Sequence, residues 1–216
     1  MVKVSVSSLP AEKNLLSYVK QIEKFADFLH CDFMDGTITN EKTLLDENLV
    51  KAINENSTLP LDVHIMSNNP KKYIENFKHS GANIISVQYE VFENKSQIKN
   101  CLQLIKDRKT LCGLAVDLKT NIHDILNLLN LVDVVIIMSV NLGKYGQSFD
   151  ISALSKIEIL NNYRKKNNLN FKISVDGGIN DTNCDKLKQM GVDILVSGGY
   201  IFNETNYQQA IDKIKN

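Results

Sequence analysis

Short runs of apolar residues recur along the chain, and each alternates with a longer stretch that has the apolar spacing of an amphipathic helix. Eight runs have the length and residue types of β-strands, at residues 3–7, 28–33, 61–66, 84–88, 110–116, 132–138, 171–175 and 193–196. Helical patterns occur at residues 11–25, 42–54, 70–79, 95–107, 122–129, 151–165, 181–190 and 206–214. This regular alternation is typical of an α/β protein with a parallel sheet.

The number of strand-helix units indicates how that sheet closes. The 216 residues divide among eight units at about 27 residues each, which suits a (β/α)8 barrel with short loops. An open doubly wound sheet would more often have about five to seven strands and a G-x-G-x-x-G motif after the first strand. The sequence has no such motif there, and no linker or low-complexity stretch divides the chain. We therefore predict a single (β/α)8 TIM barrel, with residues 1–216 forming one domain.

Composition and charge narrow the classes of partner. Lysine plus arginine number 25, and aspartate plus glutamate also number 25, so the chain has no net basic charge to attract nucleic acid or an anionic membrane. Apolar runs such as residues 134–138 are far shorter than the roughly 20 residues that span a bilayer. The four cysteines form no Cys-x-x-Cys pair, which favours reduced and packed thiols. We expect a cytoplasmic protein that binds a small molecule.

Titratable side chains stand at the C-terminal ends of three predicted strands, where barrels of this type carry their active sites. His30 and Asp32 share one face of the second strand, His64 lies on the third, and Asp176 follows the seventh. One such residue alone is more often a hydrogen-bonded core residue or a helix cap. Four together favour a site for one divalent metal ion, with Zn²⁺ expected and Fe²⁺, Co²⁺ or Mn²⁺ as alternatives.

Methionines and glycines cluster at the same strand ends. Three methionines are expected to line a water-poor pocket, although each could also be an ordinary gap-filler: Met34, Met66 and Met138. Glycine pairs follow the seventh and eighth strands, at Gly177-Gly178 and Gly198-Gly199, where barrels often hold a phosphate with backbone amides. The segment 141–149 is placed to close over the same anion. The alternative is that these glycines serve only tight turns.

The order of these motifs resembles that of the ribulose-phosphate 3-epimerase family, whose members are metal-dependent (β/α)8 barrels acting on ketose phosphates. The resemblance covers nearly the whole chain. It rests on Ser5, H-C-D-F-M-D-G at 30–36, D-V-H-I-M at 62–66, M-S-V-N at 138–141, G-Q-S-F at 146–149, V-D-G-G-I at 175–179 and S-G-G at 197–199. Any one segment alone would be a weak signal, whereas the ordered set is specific.

The resemblance implies roles for individual residues. His30, Asp32, His64 and Asp176 correspond to the metal ligands, and the two aspartates also correspond to acid–base residues acting on opposite faces of the substrate. Ser5 and His64 correspond to substrate contacts. The positions that surround the sugar phosphate correspond to Gly143, Lys144, Tyr145, Gly146, Gly177, Gly178, Ile179, Gly198 and Gly199. The resemblance implies a homo-oligomeric isomerase of the pentose phosphate pathway that interconverts D-ribulose 5-phosphate and D-xylulose 5-phosphate.

Several loop positions depart from the family pattern. The loop at 37–40 lacks the usual aromatic residue and Pro-Asn pair, and Gln88 stands where a histidine is usual. Residues 117–120 follow the fifth strand without the usual Pro-Gly or similar pair, and Leu142 replaces a proline after the sixth. The predicted ligands are intact while the loops that select a substrate are altered, so the chemistry is better supported than the identity of the sugar.

Three alternatives follow from these departures. The substrate could be a six-carbon ketose phosphate such as allulose 6-phosphate, handled by the same chemistry. A barrel that binds a sugar phosphate without catalysis is a second possibility, although such a protein would not need two carboxylates facing one metal. A decarboxylase with an Asp-x-Lys-x-x-Asp motif is disfavoured, because Ile122 stands where the second acid should follow Asp117-Leu118-Lys119.

Overall fold

The fold is a closed barrel of parallel strands, as predicted. The computed structural model describes residues 1–144 and 146–216. Within these residues, neighbouring strands pair in chain order and the first pairs with the eighth to close the barrel. The strands are β1 Lys3–Ser7, β2 Phe28–Met34, β3 Leu61–Met66, β4 Ile84–Gln88, β5 Leu111–Val116, β6 Val134–Met138, β7 Lys172–Asp176 and β8 Ile194–Ser197. Alternation of short strands with helices thus correctly predicted a TIM barrel.

Helices cover the outside of the barrel. The α-helices of the described residues are α1 Leu15–Ile22, α2 Glu47–Asn56, α3 Lys71–His79, α4 Lys95–Asp107, α5 Ala153–Lys166, α6 Cys184–Gln189, α7 Gly199–Phe202 and α8 Tyr207–Lys215. Three further segments are 3₁₀-helices: Leu9–Asn14, Tyr89–Val91 and Ile122–Leu131. The start of α2 is set by Asp46, whose carboxylate accepts a hydrogen bond from the Leu49 amide at 2.8 Å.

The segment Ile122–Leu131 is a 3₁₀-helix where the sequence predicts an α-helix, and part of its apolar spacing fits the observed geometry. Ile122, Ile125 and Leu128 recur at every third residue, and all three are buried. A 3₁₀-helix has three residues per turn, so this spacing aligns the three side chains on one buried stripe. Leu129 is buried as well and lies off this stripe, so the apolar pattern alone is compatible with either type of helix.

Side chains along each strand alternate between the helix layer and the barrel interior. On β2, Cys31 and Phe33 point outward and are buried beneath the helices. The Phe33 ring lies 4.5 Å from the Tyr73 ring and 5.0 Å from the Phe77 ring, measured between centroids, and both partners belong to α3. This packing leaves the intervening residues of β2, His30 among them, facing the interior.

The barrel interior combines an apolar part with an unusually polar one. The apolar part is a cluster of buried side chains: Ile84, Ala115, Val134, Ile136, Met138, Val140 and Ile194. The polar part consists of buried residues from β1 to β4 and from β7: Ser5, His30, Asp32, Asp62, His64, Ser86, Gln88 and Ser174. Packing here is so close that a Cβ at Gly113 would lie 1.9 Å from the Ser86 hydroxyl. Polar residues therefore lead from the barrel centre toward its C-terminal mouth.

Burial of the cysteines agrees with the expectation of packed thiols. All four cysteines are buried and free of disulfides. His79 and His123, the two histidines outside the barrel strands, are exposed. Among the described helices, none is both long enough and apolar enough to cross a membrane.

Phe77 provides a test of the helix packing that holds β2. Its side chain is fully buried, so Phe77→Ala is expected to lower the free energy of unfolding by about 3–5 kcal/mol through lost burial and the cavity left behind. Urea unfolding followed by circular dichroism measures this change. Leu44→Ala removes a side chain that is 63% exposed and is expected to change stability by no more than about 0.5 kcal/mol. A loss below about 1 kcal/mol for Phe77→Ala would contradict this account of the packing.

Candidate active site

The structure brings His30, Asp32, His64 and Asp176 together at the C-terminal end of the barrel. Strand register does this directly, because Asp32 of β2 pairs with His64 of β3 and Asp176 is the last residue of β7. One ligand atom from each of the four residues lies within 4.8 Å of the others. His30 and His64 are completely buried. Three separate strands thus deliver two imidazoles and two carboxylates to one point.

Three distances within this cluster are close to the spacing of ligands around a small divalent ion. His30 Nε2 lies 3.3 Å from Asp32 Oδ1 and 3.5 Å from Asp176 Oδ2, while His64 Nδ1 lies 3.5 Å from Asp32 Oδ1. Tetrahedral ligands about 2.0–2.1 Å from Zn²⁺ would be roughly 3.3 Å apart. Both nitrogens are buried and form no hydrogen bond within the described residues. Because such atoms are costly to leave without a partner, the donor set fits a divalent cation.

The other ring nitrogens have protein partners that the sequence analysis did not identify. His30 Nδ1 lies 2.8 Å from Asp62 Oδ2, and His64 Nε2 lies 2.9 Å from Gln88 Oε1. Asp62 shares the inward face of β3 with His64, and this D-x-H spacing was a usable signal for it. Gln88 was noted only as a departure from the family pattern. Such outer partners orient histidine ligands and determine which nitrogen faces the metal.

Electrostatics around the cluster favour a cation. Burial lowers the pKa of His30, but the carboxylates of Asp32 and Asp62 raise it well above the ordinary value. Burial raises the pKa of Asp176 to about 6, with the charge of Asp32 adding to that rise. Burial acts in the same direction on Asp32, yet its pKa is held below the ordinary range by the nearby imidazoles of His30 and His64. The two carboxylates therefore have different affinities for a proton.

A cavity of about 350 Å³ opens above the cluster. Asp32 and Asp176 line its floor together with Met66 and Met138. The predicted phosphate-site residues that also line it are Gly143, Lys144, Gly146, Gly177, Gly178, Ile179, Gly198 and Gly199. Tyr145, which was predicted to bind substrate, lies outside the described residues. The carboxylates and the glycine loops thus face one shared space.

Gly178 joins two of these loops by close contact. Its φ is +65°, and a Cβ there would lie 2.3 Å from the Phe149 backbone nitrogen. A side chain would therefore be strained by the backbone conformation and would also push the loop after β6 away. The glycine serves loop packing as well as access to the cavity, so the turn function and the proposed phosphate function are compatible.

Among the described residues, three of those predicted to contact the substrate or line the pocket are buried and do not belong to the cavity lining: Ser5, Met34 and His64. Ser5 is completely buried on β1, its hydroxyl has no hydrogen-bond partner among the described residues, and it is not part of the cavity lining there. Met34 is also buried and accepts a hydrogen bond from the Thr39 hydroxyl at 3.5 Å. Ser7, which the sequence analysis missed, lines the cavity and donates a hydrogen bond to Asp32 Oδ2 at 3.3 Å. Ser5 and Ser7 are two residues apart on the same face of β1, and only Ser7 reaches the cavity.

Comparison with known proteins agrees with this geometry. The model of the ribulose-phosphate 3 epimerase family matches residues 2–202. The chain belongs to this family. It is therefore an isomerase of the epimerase class, and its resemblance to that family is confirmed.

Curated relatives resemble the chain over nearly its full length. The ribulose-phosphate 3-epimerase of Helicobacter pylori is 36% identical over 216 residues, covering 99% of this chain and 97% of the relative. The enzyme of the same name from Bacillus subtilis is 33% identical, covering 100% of this chain and 99% of the relative. The chloroplastic ribulose-5-phosphate-3-epimerase of Arabidopsis thaliana is 35% identical over 98% of this chain and 75% of its own length.

Solved structures support the architecture independently. A mutant tryptophan synthase α-subunit from Pyrococcus furiosus has a TM-score of 0.71 at 13% identity, covering 100% of this chain and 99% of its own. A 3-hexulose-6-phosphate synthase has a TM-score of 0.69 at 15% identity, covering 99% of this chain and 98% of its own. At such low identity these likenesses establish the barrel fold alone.

Asp35 connects the loops that border the site. Its carboxylate accepts hydrogen bonds from the Thr37 amide at 3.0 Å, the Thr37 hydroxyl at 2.6 Å, the Ser67 hydroxyl at 2.6 Å and the Tyr73 hydroxyl at 3.1 Å. Burial acts to raise the pKa of Asp35, but these donors lower it below the ordinary value. The loop after β2 is thereby tied to the loop after β3 and to α3.

We expect Asp35→Asn to destabilise the protein by about 1–3 kcal/mol at pH 7. The substitution removes the negative charge that accepts the hydrogen bonds from Thr37, Ser67 and Tyr73. Because the folded-state pKa is depressed, the carboxylate's stabilisation is present above the unfolded-state pKa of about 3.9 and disappears as pH falls through the lower folded value. Urea unfolding at several pH values measures the difference from the parent. Asp212→Asn, at an exposed position, is the control. A difference that stays constant into strong acid would contradict the proposed role of the charge.

Proposed function

We propose that this protein inverts C3 of a ketose phosphate and interconverts D-ribulose 5-phosphate and D-xylulose 5-phosphate. The observation that carries the proposal is the convergence of Asp32 and Asp176, from different strands, on the floor of a cavity bordered by glycine loops. Curated relatives that are named ribulose-phosphate 3-epimerase support a ribulose phosphate as substrate and C3 as the reacting carbon. We also propose that residues 1–216 act as one catalytic domain.

The two carboxylates suit a proton transfer that changes configuration. Epimerisation removes a proton from C3, next to the C2 carbonyl, and returns a proton to the opposite face of the resulting enediolate. Asp32 would take the proton in one direction and Asp176 would supply one from the other side, with the roles exchanged in reverse. A carboxylate with a reference pKa of about 3.9 is a weak base for a C–H bond, so the negative charge formed must be stabilised. Two positioned acid–base groups and a cation-binding cluster meet these requirements.

We propose that His30, Asp32, His64 and Asp176 hold one divalent ion. Their orphaned nitrogens, short mutual distances and burial support this. When bound, the ion supplies Lewis-acid stabilisation of negative charge on the substrate oxygens. The mixed nitrogen and oxygen donors suit Zn²⁺, Fe²⁺, Co²⁺ or Mn²⁺. Ser7 would help to hold the Asp32 carboxylate through its hydrogen bond.

The glycine loops would bind the phosphate and so determine which carbon lies between the carboxylates. Gly177, Gly178, Gly198 and Gly199 offer backbone amides close to the cavity, and Lys144 adds a cationic side chain at its border. Ile179, Gly143 and Gly146 complete the border. Ser5, His64 and Tyr145 remain predicted substrate contacts. Fixing the sugar in this way contributes to catalysis by orienting the C3–H bond.

Replacing either carboxylate tests the proton transfer. Asp32→Asn and Asp176→Asn are each expected to lower kcat by at least about 10²–10³, the usual loss for one electrostatic catalytic group. The measurement is deuterium incorporation at C3 of ribulose 5-phosphate in D₂O, followed by NMR, with circular dichroism to verify folding. Asp212→Asn is expected to retain the parental rate. Parental rates in either active-site variant would rule out the two-carboxylate scheme.

The same assay separates the alternative substrates. We expect kcat/KM for ribulose 5-phosphate to exceed that for allulose 6-phosphate under identical metal loading. The reverse order would identify the protein as an epimerase for a six-carbon sugar. Binding of both sugar phosphates without C3 exchange would identify a non-catalytic barrel.

Metal removal provides a test with two readouts. Dialysis against a chelator is expected to abolish C3 exchange and to lower Tm, and adding Zn²⁺ or Mn²⁺ should restore both. A ligand that binds only the folded state adds about 2.7 kcal/mol of stability at a free concentration 100 times its Kd. Full activity and an unchanged Tm in a sample shown by elemental analysis to be metal-free would contradict the metal site.

A further inference from the structure

A chain of hydrogen bonds runs from His64 to the loop after β5. His64 Nε2 and Gln88 Oε1 are 2.9 Å apart, and Gln88 Nε2 donates to Glu90 Oε2 at 2.6 Å. The second oxygen of Glu90 accepts from the Asp117 amide at 2.9 Å and from the Thr120 hydroxyl. Gln88 is completely buried at the end of β4. The proposed metal cluster is thus connected to a carboxylate outside it.

The direction of each hydrogen bond follows from that carboxylate. An ionised carboxylate only accepts, so the Gln88 amide must turn its NH₂ group toward Glu90. Its carbonyl oxygen then faces His64 and also only accepts, which requires the hydrogen of the neutral ring to sit on Nε2. The remaining nitrogen, Nδ1, keeps its lone pair and faces Asp32 Oδ1 at 3.5 Å. The orientation of one buried amide therefore selects one histidine tautomer.

The amino group of Lys156 lies near this carboxylate. Lys156 belongs to α5, is only 8% exposed and donates to the Asp117 carbonyl at 2.5 Å. Burial lowers the pKa of Lys156, and the charges of Asp117 and Glu90 oppose that shift. Glu90 accepts three hydrogen bonds, from Gln88, Asp117 and Thr120, and has a lysine close by.

We propose that Gln88 is a positioning residue that holds His64 in the Nε2–H tautomer, with Glu90 fixing the orientation of its amide, so that Nδ1 is presented to the metal. The inference rests on the proposed metal site. His30 is arranged oppositely, because Asp62 accepts from its Nδ1 and leaves Nε2 for the metal. The two imidazoles would therefore bind through different nitrogens, one supported by a carboxylate and the other by a neutral amide.

This arrangement predicts which substitutions are tolerated. Gln88→Leu removes the acceptor and leaves the His64 tautomer unselected. Gln88→Glu still supplies an acceptor for His64. It also places a second carboxylate against Glu90, at the position where the Gln88 amide of the parent donates to Glu90 Oε2 at 2.6 Å. The double variant Gln88→Glu/Glu90→Gln exchanges amide and carboxylate and restores the direction of both bonds. Restoration by the double variant is not expected if Gln88 only fills space.

The experiment measures Co²⁺ affinity of the metal-free protein by titration, with the visible d–d absorption of the bound ion as a second readout. Gln88→Leu and Gln88→Glu are expected to weaken Co²⁺ binding about 10- to 100-fold and to alter the d–d bands, as for other outer partners of histidine ligands. The double variant is expected to recover most of this loss. Gln103→Leu removes the same side chain from an exposed position on α4 and is expected to match the parent.

Histidine NMR tests the tautomer in the parent protein, so the inference does not depend on the folding of any variant. The chain has only 4 histidines, and the two exposed ones can be assigned with His79→Gln and His123→Gln. In the Zn²⁺-loaded, ¹⁵N-histidine-labelled protein, we expect Nε2–H for His64 and Nδ1–H for His30. The same tautomer in both, or Nδ1–H for His64, would overturn the inference.

The titration separates failure of this inference from failure of the proposed function. Equal Co²⁺ affinity in the parent and Gln88→Leu would overturn the positioning role alone, as would a double variant no better than Gln88→Glu. Absence of Co²⁺ binding and of C3 exchange in the parent would overturn the metal site and this inference together.

Discussion

Charge compensation at the mouth of the barrel is the constraint on which the site depends. His30 lies within hydrogen-bonding or ion-pairing distance of Asp62, Asp32 and Asp176, at 2.8, 3.3 and 3.5 Å. Three carboxylates this close to one imidazole require positive charge, because buried carboxylates repel one another and have lost their hydration. The same concentration of negative charge that would destabilise an apolar barrel mouth gives the cluster its attraction for a divalent cation.

Packing contacts and hydrogen bonds outside this cluster hold its strands and loops in place. Phe33 and Phe77 hold β2 against α3, so that the alternate residues of β2 face inward. Asp35 ties the two loops beside the site, and Gly178 allows the loop after β6 to approach the loop after β7. These contacts touch no catalytic atom, yet they determine whether the carboxylates and the glycine loops share one cavity. Preorganisation of this kind reduces the free energy that substrate binding must supply to order the catalytic groups.

Sequence patterns predicted the fold better than the finer details of the site. Alternation of apolar runs predicted eight strands, and period-two spacing placed His30 and Asp32 on one face. The sequence did not distinguish Ser5 from Ser7, because the two share a face of β1 and only the depth of the cavity separates them. It also missed the bond between His64 and Gln88, since no local pattern encodes a contact between side chains 24 residues apart.

By itself, the sequence determined the barrel class, the residue types available for a divalent ion and the glycines in the late loops. These follow from local periodicity and composition, which can be determined without knowing any long-range contact. The tertiary structure decided which atoms face one another: Nε2 of His30 and Nδ1 of His64 lie 3.3 and 3.5 Å from the same oxygen of Asp32. That choice depends on strand register and on hydrogen-bond direction between different strands, which only closure of the barrel brings into contact.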